Sequence, residues 1–473
     1  MVTDSFRRNA FIWAYLLITS AMIFFLMDGR SFRHGEGIFT RVIPITSVVG
    51  TGIGVDYYAE LARSFINGRT DFIGPFHPAL ASHPDPYGVD AYNEKVIIQD
   101  ASYYNGKYYL YFGPLPALIY VIFYYFFGNF PTDRIVMITS LIIFNGIFIW
   151  YLGRVFVRKL CIKTLLLTIA VWHIVFFNSL VFSVLRVSTV HTISRIYAVF
   201  FAFVGLLMFW RSLTDSDQRR ARNTFIASSL LGLSAFCKFN FILDLVVIVL
   251  LMLMYLFCKK MLNRRIFASL LLPVVVVGVA LFYYNHIRFG SGFESGTKYQ
   301  TNTLDFVHNS FFALKLDPAY NIYLIVKRTY EYFFMPFDLS PNGKLALNFG
   351  TYPFSGSPRL YSGGFLSVFS VIPLLALLSY GLLKFRQKAL AASSLLQTSE
   401  LKFMEIVIIV LFLLHYLQTV YLLQGFVFYT LEFLPYLAMF AILRFDVLCV
   451  LYEKHRAIFS GALLIGLLLQ FSV

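Results

Sequence analysis

Apolar runs long enough to cross a bilayer recur along nearly the whole 473-residue chain. A helix rising 1.5 Å per residue needs about 17 to 25 predominantly apolar residues to span a hydrocarbon core of roughly 30 Å. Such runs fall at about 10–27, 114–129, 134–152, 164–184, 196–210, 224–237, 240–257, 266–284, 363–383, 403–423, 428–448 and 457–473. They predict an all-α polytopic integral membrane protein, a bundle of about 11–13 transmembrane helices. One integral domain then covers residues 1–473, interrupted by two long polar loops at 28–113 and 285–362. The first run follows Arg7 and Arg8 and has no small-residue cleavage site, so it reads as a retained helix with a cytoplasmic N-terminus.

Composition supports this class: 59% hydrophobic, 19% aromatic and 13% charged residues exclude a water-soluble globule. The net charge of +15 does not indicate nucleic acid, because the basic residues gather in short loops between apolar runs. Those loops carry Arg154, Arg158, Lys159 and Lys163, then Arg211 to Arg222, Lys259 to Arg265, and Lys384 to Lys402. The positive-inside rule places them in the cytoplasm and the two long polar loops on the opposite, extracytoplasmic side. Strict alternation from Arg8 inward cannot satisfy both placements, so one segment between 114 and 152 must be re-entrant or not a span.

The first polar loop holds the densest candidate chemistry. If VDYYAELARSFING is helical, Asp56, Glu60 and Arg63 share one face and Tyr57, Leu61 and Phe65 another, which predicts an amphipathic helix on the bilayer surface. A plainer account makes Asp56 the helix N-cap and Glu60–Arg63 a surface ion pair. Further along come His77, His83, Asp85, Asp90, Glu94 and Asp100, then Lys107 among Tyr103, Tyr104, Tyr108, Tyr109 and Tyr111. Carboxylates that hold hydroxyls beside aromatic faces that stack on sugar rings suit a carbohydrate, although tyrosine is also the residue of the membrane interface. His77 and His83 lack metal-ligand spacing. No dedicated metal site is expected, while Asp56 with Asp85, Asp90 or Asp100 offers oxygen ligands suited to a divalent cation.

Other features carry less. Cys161, Cys237, Cys258 and Cys449 sit singly in or beside apolar runs and read as small buried hydrophobes. Asp215 and Asp217 form a D-x-D triplet, but in a short Arg-rich connector rather than a nucleotide-binding domain. Lys238 lies six positions before Asp244 between apolar runs; an ionisable pair in that setting is either functional or a snorkelling lysine and a helix-pairing aspartate.

The context DYYAELARSFINGR directly after the first apolar run resembles the GT-C superfamily of membrane glycosyltransferases. More closely, HPDPYG, DASYYNGKYYLYFGPLPAL and YNHIRFGSGFESGTKYQ resemble bacterial proteins related to the family 39, protein-mannosyltransferase-like enzymes. LGLSAFCKFNFIL around Lys238 and YTLEFLPYL around Glu432 are similar to recurring elements of that group, although Phe428 stands where an arginine is expected. The resemblance implies a GT-C-like bundle that takes a sugar from a polyprenyl-phosphate donor and passes it to an extracytoplasmic envelope glycan, such as an O-antigen or wall polysaccharide, or to another lipid-linked acceptor. It places the protein in the bacterial inner membrane and makes Asp56 the catalytic base. Arg63, Lys107, Lys238 and Arg288 are the candidate cations for the leaving phosphate. Glu60, Asp85, Asp100, Tyr103, Tyr104, Tyr109, Glu294 and Tyr299 are the candidate groups for donor or acceptor hydroxyls and rings. A transporter or lipid-linked glycan flippase is the competing class, but should show paired interrupted helices in two halves, which this chain does not. A glycan polymerase or ligase would place its main loop late in the chain.

Overall fold

A computed structural model describes residues 56–74, 78–87, 97–98, 100–156, 190–301 and 399–418, with isolated positions at 17, 20, 91, 322, 436, 439 and 440. They belong to two compact units, one built from residues 27–141 and 188–314, the other from 1–26, 142–187 and 315–473. The expected spans at 164–184, 363–383 and 457–473 lie outside the described residues, as do His77, Asp90, Glu94, Cys161, Phe428, Glu432 and Cys449.

The first unit begins with helix α1 (Tyr57–Ile66). It ends where the Asn67 side chain donates to the Arg63 carbonyl at 2.8 Å and Gly68 turns the chain at φ 68°. Seven of its ten residues are buried, including Tyr57, Tyr58, Glu60, Leu61 and Ser64. This corrects the expectation of a helix lying on the bilayer: α1 is enclosed by protein, chiefly by α2 (Leu115–Phe127), because aromatic and small residues occupy nearly its whole circumference.

Between them lies a hairpin, β1 (Ala101–Tyr104) and β2 (Lys107–Tyr109), with Ser102 opposite Tyr109 and Tyr104 opposite Lys107. Asn105 at φ 49° and Gly106 at φ 74° form its two-residue turn, the left-handed pair that a tight hairpin requires. β3 (Gln300–Thr301), from the second polar loop, adds antiparallel to β1, giving the order β2-β1-β3. The all-α expectation therefore needs correction: tyrosine-rich strands closed by an Asn-Gly turn make a small sheet that ties the two polar loops together. Ser102 Oγ donates to the Gly296 carbonyl at 2.8 Å, and Thr301 Oγ1 donates to the Ile98 carbonyl at 2.6 Å.

The helices that follow are α3 (Asp133–Phe156), whose first nine residues belong to this unit, α4 (Val190–Thr214), α5 (Asp217–Cys237), α6 (Phe241–Cys258) and α7 (Arg264–Phe289). Among the described residues α4, α6 and α7 are long and apolar enough to cross a membrane. α4 is mostly enclosed and packs on α5, whereas α7 also packs on α5 but turns Leu272, Val275, Val276, Val279 and Tyr283 outward. An apolar face of that size left outside a fold suits lipid rather than water.

At about 1.5 Å per residue α2 is roughly 20 Å long, short of a hydrocarbon core of about 30 Å. The connector before α5 ties up the D-x-D triplet: Arg211 pairs with Asp215 at 3.7 Å, Arg220 pairs with Asp217, and the Asn223 amide donates to Asp215. Cys237 is buried as expected, but Cys258, the last residue of α6, is exposed because the chain turns there into a polar connector. In the second unit, α8 (Ser399–Leu417) buries Leu401, Met404, Val407, Ile408 and Leu411 along one face, and His415 stacks on Tyr436 at 5.5 Å.

Gly113 shows how tightly the hairpin exit meets the end of α5. Its amide donates to the Cys237 carbonyl at 3.1 Å, and a Cβ there would lie 1.9 Å from the Phe236 carbonyl oxygen. Gly113→Ala must push backbone apart and is expected to destabilise by about 2–4 kcal/mol. Gly146→Ala, whose Cβ meets nothing within 4 Å, serves as its control. Thermal melting of the detergent-purified variants checks this.

Candidate active site

The first turn of α1 gathers two groups of charged side chains. Asp56 precedes the helix at φ −80° and ψ 79°, and its side chain makes no capping hydrogen bond to the α1 amides. The N-cap account of Asp56 is therefore not the one realised. Its charge acts instead on Asp133 at the head of α3, on Tyr120 of α2 and on Glu60. Tyr120 donates its hydroxyl to Asp133 Oδ1 at 2.5 Å, and the Tyr58 ring stacks on Tyr120 with centroids 6.3 Å apart. Asp133 and the Tyr120 hydroxyl thus form a buried pair on which the charge of half-buried Asp56 acts.

Glu60 follows Asp56 by one turn. It was expected in a surface pair, but its side chain is only 4% exposed while Arg63, at 3.5 Å, is 34% exposed. Packing against α2 draws the carboxyl inward and leaves the longer arginine at the rim. Burial raises the Glu60 carboxyl to about 7, with Arg63 pulling it down and Asp56 pushing it further up.

The second group forms around Asp100. Its backbone sits at φ 58°, a left-handed conformation that a non-glycine residue seldom adopts and that often marks a functional position. The Asp100 carboxylate meets His191 Nε2 at 3.2 Å. Burial opposes its ionisation, but His191, a hydrogen bond from Tyr111 and the charge of Arg195 outweigh burial and hold the carboxyl below its usual range. His191 and Arg195 are four residues apart on α4, so one helix face presents both cations. Arg195 is 1% exposed, and the Phe112 ring meets His191 edge-on at 4.8 Å. Tyr57 links the two groups: it precedes Tyr58 in α1, and the Asp100 charge acts on it.

Above these lies an aromatic cluster on the sheet. Tyr104 meets Tyr299 at 4.5 Å and Phe289 at 5.8 Å, Tyr109 meets Phe289 at 5.2 Å, and Tyr103 meets Tyr108 at 5.1 Å. Tyr87 joins through its hydroxyl, which donates to the Tyr103 carbonyl at 2.9 Å. Tyr103, Tyr104 and Tyr299 are half-buried.

The other expected site residues are placed differently. Arg288 belongs to the last turn of α7 rather than to the second loop, because the helix runs on until Gly290 caps it at φ 70°. Its guanidinium donates to the Leu110 carbonyl and to Asn285 Oδ1, each at 2.6 Å, and lies 3.9 Å from the Tyr284 ring. It pins α7 to the first loop. Asp85 is exposed and accepts from the Tyr87 amide in its own turn, as Glu294 accepts from the Gly296 amide. Lys107 is exposed at the sheet edge, 4.0 Å from Asp71, which pairs with Arg69. Lys238 is buried at the end of α5, and Asp244 is buried in α6. Among the described residues no three His, Cys, Asp or Glu side chains come close enough together to hold a metal ion.

Asp133, Tyr120, His191 and Arg195 are the members that sequence reasoning missed. An acid at the head of an apolar run, and two cations at i, i+4 within HTISRIYAVF, are the signals that would have found them.

No family model and no curated protein matches the sequence. Among solved structures, the Archaeoglobus fulgidus oligosaccharyltransferase in its apo form is similar, with 13% identity, a TM-score of 0.49 and 98% of this chain covered. The chain spans about half of that protein, 55% of its length. A likeness at that score carries no inference about activity.

Glu60 makes stability depend on pH. A carboxyl raised on folding is stabilising while protonated, and that contribution is lost as pH rises toward about 7 and beyond. Glu60→Gln should therefore melt with the wild type at pH 5 and above it at pH 8; equal melting temperatures at both would contradict the burial argument.

Proposed function

We propose that the chain is a GT-C-type membrane glycosyltransferase that moves a sugar from a polyprenyl-phosphate donor to an extracytoplasmic envelope glycan. The observation that carries this reading is the buried Asp133–Tyr120 pair where α2 meets α3, on both of which the charge of Asp56 acts. The family resemblance of the surrounding sequence gives that site its chemistry. A donor held in the bilayer suits a site whose polar loops rest on membrane-length helices, since it needs no soluble nucleotide sugar.

In the proposed reaction the acceptor O–H bond breaks and its proton passes to the Asp56 carboxylate. The acceptor oxygen forms the new bond to the anomeric carbon as the bond from that carbon to the phosphate oxygen breaks, its electron pair leaving with the phosphate. Asp133, at the head of α3, accepts the Tyr120 hydroxyl and is held in place by it. Buried Arg195 with His191, and Lys238, are assigned to the negative charge that develops on the lipid phosphate. Tyr104 and Tyr299 on the sheet offer ring faces to the acceptor saccharide. The basic connectors, read by the positive-inside rule, support a site on the outer face of a bacterial inner membrane.

Mass spectrometry of envelope glycans tests the reading, comparing cells with the wild-type protein, with Asp56→Asn at matched membrane abundance, and with none. A fixed increment of one sugar is expected with the wild type alone. Survival of the increment in Asp56→Asn would remove Asp56 as the base, and unchanged glycans in every strain would favour transport.

A further inference from the structure

We propose that Glu60 is the group through which the proton captured by Asp56 leaves the site, an inference that rests on the reading of Asp56 above. The placement is specific. Glu60 lies one helical turn after Asp56, its amide donates to the Asp56 carbonyl at 3.0 Å, and the Asp56 charge acts on its carboxyl. Glu60 Oε2 is buried, and Arg63 Nη1, at 3.5 Å, is its ion-pair partner without forming a hydrogen bond to it. Arg63 reaches the rim of the unit. The chain Asp56, Glu60, Arg63 therefore runs along one helix to the edge.

The surroundings leave few other groups to act on it. α2, packed against α1, carries no charged residue, its titratable groups being Tyr120, Tyr124 and Tyr125. α7 meets α1 through Tyr284 on Phe65 at 6.4 Å, and α3 contributes Asp133. Arg63 and Asp56 are the charges that act on Glu60. After the transfer step the Asp56 O–H bond breaks, its proton forms a new O–H bond on the Glu60 carboxylate, and the proton then passes to water beside Arg63. Asp56 is returned as a carboxylate with no other co-reactant. A carboxyl raised to about 7 is well matched to taking up and releasing a proton near neutral pH.

Infrared titration of the purified full-length protein in detergent micelles between about pH 5 and 9 reads the coupling without a substrate. A protonated-carboxyl band should vanish on raising pH with a midpoint near 7 and be missing in Glu60→Gln. Asp56→Asn should move that midpoint down, because a neighbouring negative charge is gone, and Arg63→Gln should move it up. A midpoint that ignores Asp56→Asn overturns the proposal. In cells grown across the same pH range, Glu60→Gln should lower the one-sugar increment about tenfold and flatten its fall toward acid pH. A Glu60→Gln profile superimposable on the wild type would also overturn it, while leaving the role of Asp56 standing if Asp56→Asn still abolishes the increment. An increment that survives Asp56→Asn would instead sink the functional reading itself.

Discussion

The cost of taking charge out of water governs the arrangement around the first turn of α1. A buried ionised group is tolerated only where partners or preformed dipoles replace its hydration. Here Asp100 is balanced by His191 and Arg195, Asp133 by the Tyr120 hydroxyl, and Arg288 by a carbonyl, an amide oxygen and two aromatic rings. At Glu60, burial and the Asp56 charge push the carboxyl up against the pull of Arg63 at 3.5 Å.

The rest of the first unit keeps that arrangement in register. The sheet joins the two polar loops through β1 and β3, Arg288 clamps the end of α7 to Leu110, and Gly113 lets the hairpin exit pass directly over the end of α5. The Arg288 and Gly113 contacts link a polar loop to a helix that is long and apolar or packs on one that is. Loops so fixed can present side chains with the precision that transfer chemistry needs, although they contain little regular structure.

Helix position was legible in the sequence because lipid imposes apolar length: α4, α6 and α7 lie where it predicts, α4 and α7 running a few residues beyond the expected ends. The hairpin was legible in principle from Asn105-Gly106 between tyrosine pairs, yet the surrounding tyrosines suggested an interface belt instead. Asp56, Glu60 and Asp100 were legible as polar groups in the right loop. Their partners were not, because Asp133, His191 and Arg195 lie on helices distant in sequence, and only the fold brings i, i+4 cations of α4 to a loop aspartate nearly a hundred positions earlier. Arg288 misled for a related reason: a guanidinium beside glycines resembles a ligand site until the backbone carbonyl it satisfies is known.

Like-charge crowding at Asp56 implies that the site is kept at the expense of stability. The melting temperature of purified Asp56→Asn against wild type at pH 8 tests this most directly, since the substitution keeps shape and removes one charge from a carboxyl cluster. The account predicts a variant that melts at the same temperature or higher. A melting temperature several degrees lower would show that Asp56 holds the fold together, and would contradict its assignment as a reactive group.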